Sequence, residues 1–255
     1  MNKNVLLLFE KYKTETDAIA TNRGFLYQYL KTLKIWIDDA INNTENDIFC
    51  ETEDDIKEIN PDVKSLKFTQ VKCYSSNLGT VDDEIQKTIY NFFMLSNLYP
   101  DYNGQFHFET NTKIKINDVI LKSWYKDQEN MGEDLITKCK LKVKEILEGV
   151  VEGKKKSEIA KIQKSITKLD PSMSEEKDSL EKEKETVIKE FDQLFGQIND
   201  DHHLESFVKS IKWNFEQVKG EEAVRIIKQE CEKSLKEYTD KYTYLLLTRL
   251  LSEIY

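Results

Sequence analysis

The sequence predicts an α/β protein: a mixed-sheet core under helical cover, followed by a large helical C-terminal part that includes a helical hairpin. Three observations predict it. In the first 115 residues the periodicities run helix, strand, strand, helix, strand, the pattern of a sheet with helices packed on it. From about Ile116 onward the periodicity is almost wholly helical. With 33% charged and 39% hydrophobic residues, and only 8 Gly and 3 Pro in 255, the composition is that of a folded, helix-rich chain.

"TNRGFLYQYLKTLKIWIDDAIN" sets Leu26, Leu30, Leu33, Ile37 and Ile41 at helical spacing, and Phe25, Tyr29 and Trp36 thicken that face, so a core helix is expected. "NDIFCETEDDIKEI" and "SLKFTQVKCYS" flank the turn cluster "NPDVKS" and predict a β-hairpin. "TVDDEIQKTIYNFFMLSNLY" offers Thr80 or Asp82 as a cap and spaces Ile85, Ile89, Phe92 or Phe93, and Leu95 for one buried face ending before Pro100. After the turn "DYNG", "QFHFETN" alternates as a third strand.

These elements define a core over 1–115 and a helical region over 116–255. Within the latter, 136–201 reads as a charged helical hairpin. Residues 136–168 hold ten Lys against four Glu, and 171–201 hold four Lys against ten Asp plus Glu, so each arm has a partner of opposite charge. The alternative is a basic arm lying along DNA. Pro171 stops the first arm, and Ser172 with Glu175 can form a capping box for the second. Ile159, Ile162, Ile166 and Leu169, then Leu180, Val187, Phe191, Leu194 and Ile198, supply the seams. Over 202–255, Leu204, Phe207, Ile211 and Phe215, then Val224, Ile227, Cys231, Leu235 and Tyr238, predict two amphipathic helices broken near Gly220. The apolar run "TYLLLTRLLSEIY" is expected to complete the core or form an oligomer interface.

Composition excludes several functions. A net charge of -9 and a pI near 5.1 oppose indiscriminate nucleic-acid binding, so any such contact needs a local lysine-rich surface. Arg23, Arg225 and Arg249 are the only arginines, too few for a bidentate reader of bases. Cys50, Cys73, Cys139 and Cys231 show neither CxxC pairing nor a nearby histidine, and read as reduced structural thiols. No apolar window reaches transmembrane length and "NVLLLFEKYK" is charged too quickly for a signal peptide, so a cytoplasmic protein without membrane contact is expected. A P-loop, a GxGxxG and a nucleophile elbow are all missing, which disfavours nucleotide and ester hydrolysis.

The chemistry concentrates in the hairpin. Glu51, Glu53, Asp54 and Asp55 crowd one strand, while Gln70 and Lys72 share one face of the other. Acids beside a lysine are what metal-assisted phosphodiester cleavage needs. Hard Mg2+ takes oxygen ligands and retains waters that become the nucleophile, and a lysine orients that water and offsets charge on the phosphate. An ordinary salt bridge between Lys72 and an acid of the neighbouring strand is the competing reading. "NDDHH" could hold a transition metal at His202 and His203, though a polar turn explains it more simply, and His107 reads as packed.

"RGFLYQYLKTL", "ETEDDIKEI", "FTQVKCYS" and "FHFETN", in that order, resemble the PD-(D/E)xK (Mrr-like) nuclease domain of bacterial anti-phage effectors, found with a SAVED sensor in CBASS, with a STAND ATPase, or in Lamassu SMC-type complexes. The resemblance covers roughly the first 115 residues and implies a restriction-endonuclease-like core. By that resemblance Asp55 is the acidic metal ligand, Gln70 the (D/E) position, Lys72 the catalytic lysine, and Gln28 the polar residue that the first helix directs at the metal. Gln70 departs from the usual carboxylate. Glu53, on the same strand face as Asp55, would supply the missing charge, giving Asp55, Gln70 and Glu53 as the set for Mg2+ or Mn2+. Lys87 is the candidate DNA phosphate contact, against a solvated lysine, and Thr110 and Asn111 are assigned a strand-end structural role.

The implied function is a metal-dependent DNA endonuclease effector of anti-phage defence. It would degrade double-stranded DNA with low sequence specificity when activated by oligomerisation or by sensor, SMC-like or ATPase partner subunits. The alternative is a catalytically degenerate nuclease-fold scaffold subunit, motivated by the missing carboxylate at position 70.

Overall fold

The computed structural model describes residues 18–50, 52, 54–170, 173–216, 218–239 and 243–254. Its first element, α1 (Ala18–Asn42), is the expected core helix, but its buried face is centred on Tyr27, Leu30, Leu33 and Ile37, with Phe25 left 43% exposed. Leu30, Leu33 and Ile37 are the positions that spacing predicts; only the N-terminal end of the face shifts, from Leu26 to Tyr27, because Phe25, Leu26, Tyr27 and Tyr29 offer apolar groups to adjoining stripes of the same helix.

The expected hairpin is a three-stranded meander. Strands β1 (Asp47–Cys50), β2 (Ile56–Asn60) and β3 (Ser65–Lys72) pair antiparallel, with Cys50 opposite Ile56 and Ile56 in turn opposite Thr69. The first predicted strand is therefore two strands, and Asp54 and Asp55 lie in the bend between them. Acidic side chains are poor strand formers and repel one another in succession, so the pleat breaks where they crowd. The 61–64 turn closes with Lys64 at φ 50°.

The chain continues through α2 (Asp83–Leu98), β4 (Asn103–Thr110), α3 (Val119–Asp127), α4 (Glu133–Lys168), α5 (Ser174–Ile198) and α6 (Asp201–Ser210). It ends with β5 (Ile211–Phe215), α7 (Gly220–Tyr238) and α8 (Thr243–Ile254). The mixed sheet has the order β1-β2-β3-β4-β5. Strand β5 replaces what helical spacing predicted as a continuing helix. Phe207, Ile211 and Phe215 fit a helical stripe, yet Ile211, Trp213 and Phe215 also alternate, and all three are buried. Over five residues the two periods coincide, and the ladder position beside β4 decides.

Two compact units divide the chain. The first comprises the residues up to Asn77, His107–Lys113 and those from Asn214 onward; the second comprises Leu78–Phe106 and Ile114–Trp213. In the first, Tyr27 and Leu30 of α1 pack with Ile56, Val71, Ala223 and Ile227. Leu33 and Ile37 pack with Cys231, Leu235 and Leu247, so α7 and α8 cover α1. In the second, Phe92 meets Phe106 at 5.4 Å between centroids, Phe93 meets Phe207 at 5.4 Å and Trp124 meets Trp213 at 5.2 Å. Cys139, Val143, Leu147 and Val151 form the buried stripe of α4. Burial pushes the Cys139 and Cys231 thiols up to about 12, which keeps them protonated and unreactive.

Helices α4 and α5 run antiparallel, because Lys155 pairs with Asp192 at 2.6 Å and, nearer the turn, Gln163 accepts from Lys184 at 2.9 Å. Pro171 and Ser172 lie outside the described residues, and the N-cap of α5 falls on Met173 rather than on the expected serine. Much of the basic arm is engaged locally: Lys138 with Asp134, Lys142 with Glu145, Lys156 with Glu152 and Lys161 with Glu158, while Lys154 lies over the Tyr90 ring. These pairs favour the solvated, self-complementary face over a DNA-facing one.

Asn111, just past β4, has the strand-end role expected of it. Its Nδ2 donates to the carbonyls of Tyr74 and Val218 at 2.9 and 3.0 Å, and its Oδ1 accepts from the Tyr74 N–H at 2.8 Å. One buried amide thus ties together the exits of β3, β4 and β5. Asn111→Ala leaves three main-chain groups unpaired in a buried setting, and a loss of about 2 kcal/mol is expected, read as a lower urea midpoint with an unchanged m-value.

Candidate active site

The last rung between β2 and β3 is Ile56 opposite Thr69, so the residue before it, Asp55, comes next to Gln70. The chain turns there, and the Asp55 carboxylate folds back over β3. Its Oδ2 accepts from the Val71 N–H at 2.7 Å and from the Gln70 side-chain amide, and lies 3.6 Å from Lys72 Nζ. The Asp55 N–H donates to Asp54 Oδ1 at 2.8 Å, fixing the bend from the other side. The structure brings Asp55, Gln70 and Lys72 together on a single oxygen.

The setting is half-buried. Gln70 is 7% exposed, while the Asp55 and Lys72 side chains retain 15% and 29% of their surface. A main-chain donor, an amide and an ammonium on one carboxylate oxygen hold Asp55 in one orientation. Lys72 keeps enough exposure to reach a ligand arriving from solvent.

Gln28 is buried on α1 in the same unit. Its carbonyl accepts from Thr32 Oγ1 at 3.1 Å, and that hydroxyl is 3.5 Å from Cys50 Sγ at the end of β1, which seats this turn of α1 against the sheet. Glu51 and Glu53 lie outside the described residues. Asp55 precedes β2 rather than belonging to it, so alternation along a strand does not place Glu53 beside it. Lys87 belongs to the second unit, is 65% exposed and stands 3.9 Å from Asp83, one helical turn away. The histidine pair is explained without metal: Asp200 caps α6 by accepting from the N–H groups of His202 and His203, and the His203 ring packs edge-on against Phe93 at 5.4 Å.

The sequence reading missed a charged cluster next to Gln28. Lys31 Nζ is 3.0 Å from Glu109 Oε2, also pairs with Glu216, and sits 5.5 Å from the Tyr27 ring centre. Burial pulls the Lys31 pKa down, but the carboxylates of Glu109 and Glu216 outweigh it and leave it raised. Burial, reinforced by the Glu216 carboxylate, pushes the Tyr27 phenol up. The available signal was a lysine four residues after Tyr27, on the buried side of a helix.

The donor set can be tested against a metal. Among the described residues no group of three or more His, Cys, Asp and Glu comes together, so a thiolate-rich or histidine-rich centre does not fit. One carboxylate from Asp55, an amide oxygen from Gln70 and an adjacent lysine do fit a small hard cation that keeps most of its waters. The condition is that Gln70 turns its amide to present Oε1 in place of Nε2. No described helix is long and apolar enough to cross a membrane.

A family model described as "Cap4, dsDNA endonuclease domain" matches residues 19–217. The match runs from α1 through β5, taking in both the Asp55 cluster and the α4–α5 hairpin. Neither the curated proteins nor the solved structures yield a match.

Proposed function

Since the chain belongs to the Cap4 dsDNA endonuclease domain family and is therefore a DNA endonuclease of anti-phage defence, we propose that it cuts double-stranded DNA with low sequence preference, using Mg2+ or Mn2+ held at Asp55 and Gln70. The observation that carries this reading is the convergence of Gln70, the Val71 N–H and Lys72 on Asp55 Oδ2. A divalent ion bound there would supply a Lewis acid and a water of lowered pKa. The Val71 N–H holds the Asp55 carboxylate toward the ligand side of β3. Gln70 contributes a neutral amide oxygen, which leaves the site one negative charge short of a two-carboxylate pair and favours fewer ions. Lys72 Nζ orients the attacking water and offsets the negative charge that builds on the phosphoryl oxygens. Gln28 and Glu53 are assigned supporting roles, and Lys87 an outlying phosphate contact.

Activity of this kind needs restraint. One such cluster cuts one strand, so cutting both strands of a duplex favours a homo-oligomer. Control by a sensor, SMC-like or ATPase subunit, as in CBASS, STAND or Lamassu systems, belongs to the same proposal, as does a cytoplasmic location. The scaffold alternative keeps one observation in its favour: the Gln70 amide already satisfies Asp55 without an ion.

Supercoiled plasmid, incubated with the chain and Mg2+ or Mn2+ at low salt, is expected to become relaxed and then linear, and EDTA is expected to stop the conversion. Plasmid that stays intact even with partner subunits and trigger present would leave the scaffold reading in possession of the fold.

A further inference from the structure

The exits of β3, β4 and β5, tied together by Asn111, surround a cavity of about 680 Å3 in the first unit, lined by Tyr74, Asn111, Arg23, Lys113, Lys219 and Gly220 among others. Three cations face one carboxylate there, that of Glu221, in a chain whose net charge is -9. Lys113 and Lys219 make no ion pair among the described residues.

Arg23 gives the cavity its direction. Its Nε is buried with no hydrogen-bond partner among the described residues. The guanidinium lies against the first residue of α7: a Cβ built on Gly220 would stand 3.2 Å from Arg23 Nε and 3.2 Å from Cys73 Sγ, a close fit that a larger residue would enter only by shifting these side chains. The start of a helix is its positive end, with N–H groups left over from the main-chain ladder. Lys219 holds the N-cap position and offers no side-chain cap. Glu221 and Glu222 in the first turn offset that end in part, and an anion shared among the guanidinium and the two lysines would offset the rest. A tetrahedral oxyanion with several acceptor oxygens suits these donors.

Tyr74 lines this cavity two residues beyond Lys72, so their Cα atoms are at most about 7 Å apart and the cavity opens beside the end of the strand that carries Lys72. We propose that the cavity receives the backbone phosphate next to the one being cleaved, with Arg23, Lys113 and Lys219 as its binding residues. The proposal rests on the endonuclease reading and supplies what that reading lacks, a local cationic surface on an acidic chain.

The test is binding of a short fluorescent DNA duplex in Ca2+, measured by anisotropy across a salt titration, for wild type and a Lys113→Ala/Lys219→Ala variant. Both lysines are exposed, so the fold is retained, which a thermal melt checks. Affinity is expected to fall about tenfold at low salt, and the slope of log K against log salt to shrink by about 1, the signature of one phosphate contact. A control, Lys138→Ala/Lys161→Ala, removes the same charge from lysines paired on α4 and is expected to keep the wild-type slope. DNA bound equally well by wild type and the cavity variant overturns the proposal and leaves the endonuclease reading standing. An equal loss in the control overturns it too, since the effect is then one of overall charge. Inorganic phosphate that raises the melting point of wild type but not of the variant, with DNA binding unchanged in both, assigns the cavity to a free anion and also overturns it. Wild type that binds no DNA removes both readings together.

Discussion

Replacing Lys72 by alanine is expected to lower DNA cleavage by about a hundred- to a thousand-fold, with the loss in kcat rather than in DNA affinity. Lys72 would contribute one of several cationic contacts in the ground state, but its Nζ stands 3.6 Å from the Asp55 carboxylate, where the proposed reaction would develop charge. An interaction that strengthens in the transition state appears in kcat and kcat/KM alike. Asp55 calls for more care, because its Oδ2 is also the acceptor of the Val71 N–H. Asp55→Ala strands a buried main-chain donor and loosens the β2–β3 corner, whereas Asp55→Asn preserves an acceptor there and removes the charge. Cleavage lost in Lys72→Ala and Asp55→Asn, with both variants melting like wild type, locates the chemistry at this corner. Cleavage retained at more than about a tenth of the wild-type rate in both removes it from the corner.

The largest stability effect is expected at Lys31. Lys31→Met keeps the length and apolar stem of the side chain but leaves Glu109 and Glu216 facing each other, half-buried and without a counter-charge. Breaking a pair of this kind costs about 3–5 kcal/mol, which should appear as a large drop in the urea midpoint. Removing the acids as well, with Glu109→Gln and Glu216→Gln, is expected to recover much of it, because the penalty arises from unpaired charge and not from lost volume. The cluster also sets a pH dependence. The Lys31 pKa is raised on folding, so the folded chain binds this proton more tightly than the unfolded one. Its contribution is complete below the ordinary lysine value of about 10.4 and fades as the pH climbs through the higher folded value. Wild type should lose stability between neutral and strongly alkaline pH by more than Lys31→Met does. Parallel pH profiles for the two would remove Lys31 as the cause.

The parts of the fold that were legible in the sequence are those whose periodicity is long. The 16 residues of α2 repeat their pattern often enough to fix both type and face. The sequence reading missed the Cys139, Val143, Leu147 and Val151 stripe of α4, and β3 is buried from Phe68 through Val71 on both faces, so the 36 residues of α4 and the 8 of β3 fix the type. Strands of 4 and 5 residues, β1 and β5, do not. In β5 a five-residue stretch satisfied both periods, and its neighbour in the sheet settled the matter. The Asp55, Gln70 and Lys72 grouping was legible because all three lie within one meander, where ladder geometry converts sequence spacing into proximity. The Lys31 cluster was not, since its members stand at 31, 109 and 216 and nothing local links them. Likewise, Gly220 carries no sequence signal of the guanidinium and thiol that pack closely against it.

The order in which the first unit is assembled along the chain bears on when its fold can be completed. Asp55, Gln70 and Lys72 are translated early, yet the surface that covers α1 comes from Ile227, Cys231, Leu235 and Leu247, nearly two hundred residues later. While ribosomes are still reading α4, α5 and α6, the apolar side of α1 has no cover and the sheet lacks β5. Contacts of such long sequence separation form late. A chain built this way cannot complete the cover of α1 until its last helices have been made, and a prematurely terminated copy would leave Leu30, Leu33 and Ile37 uncovered.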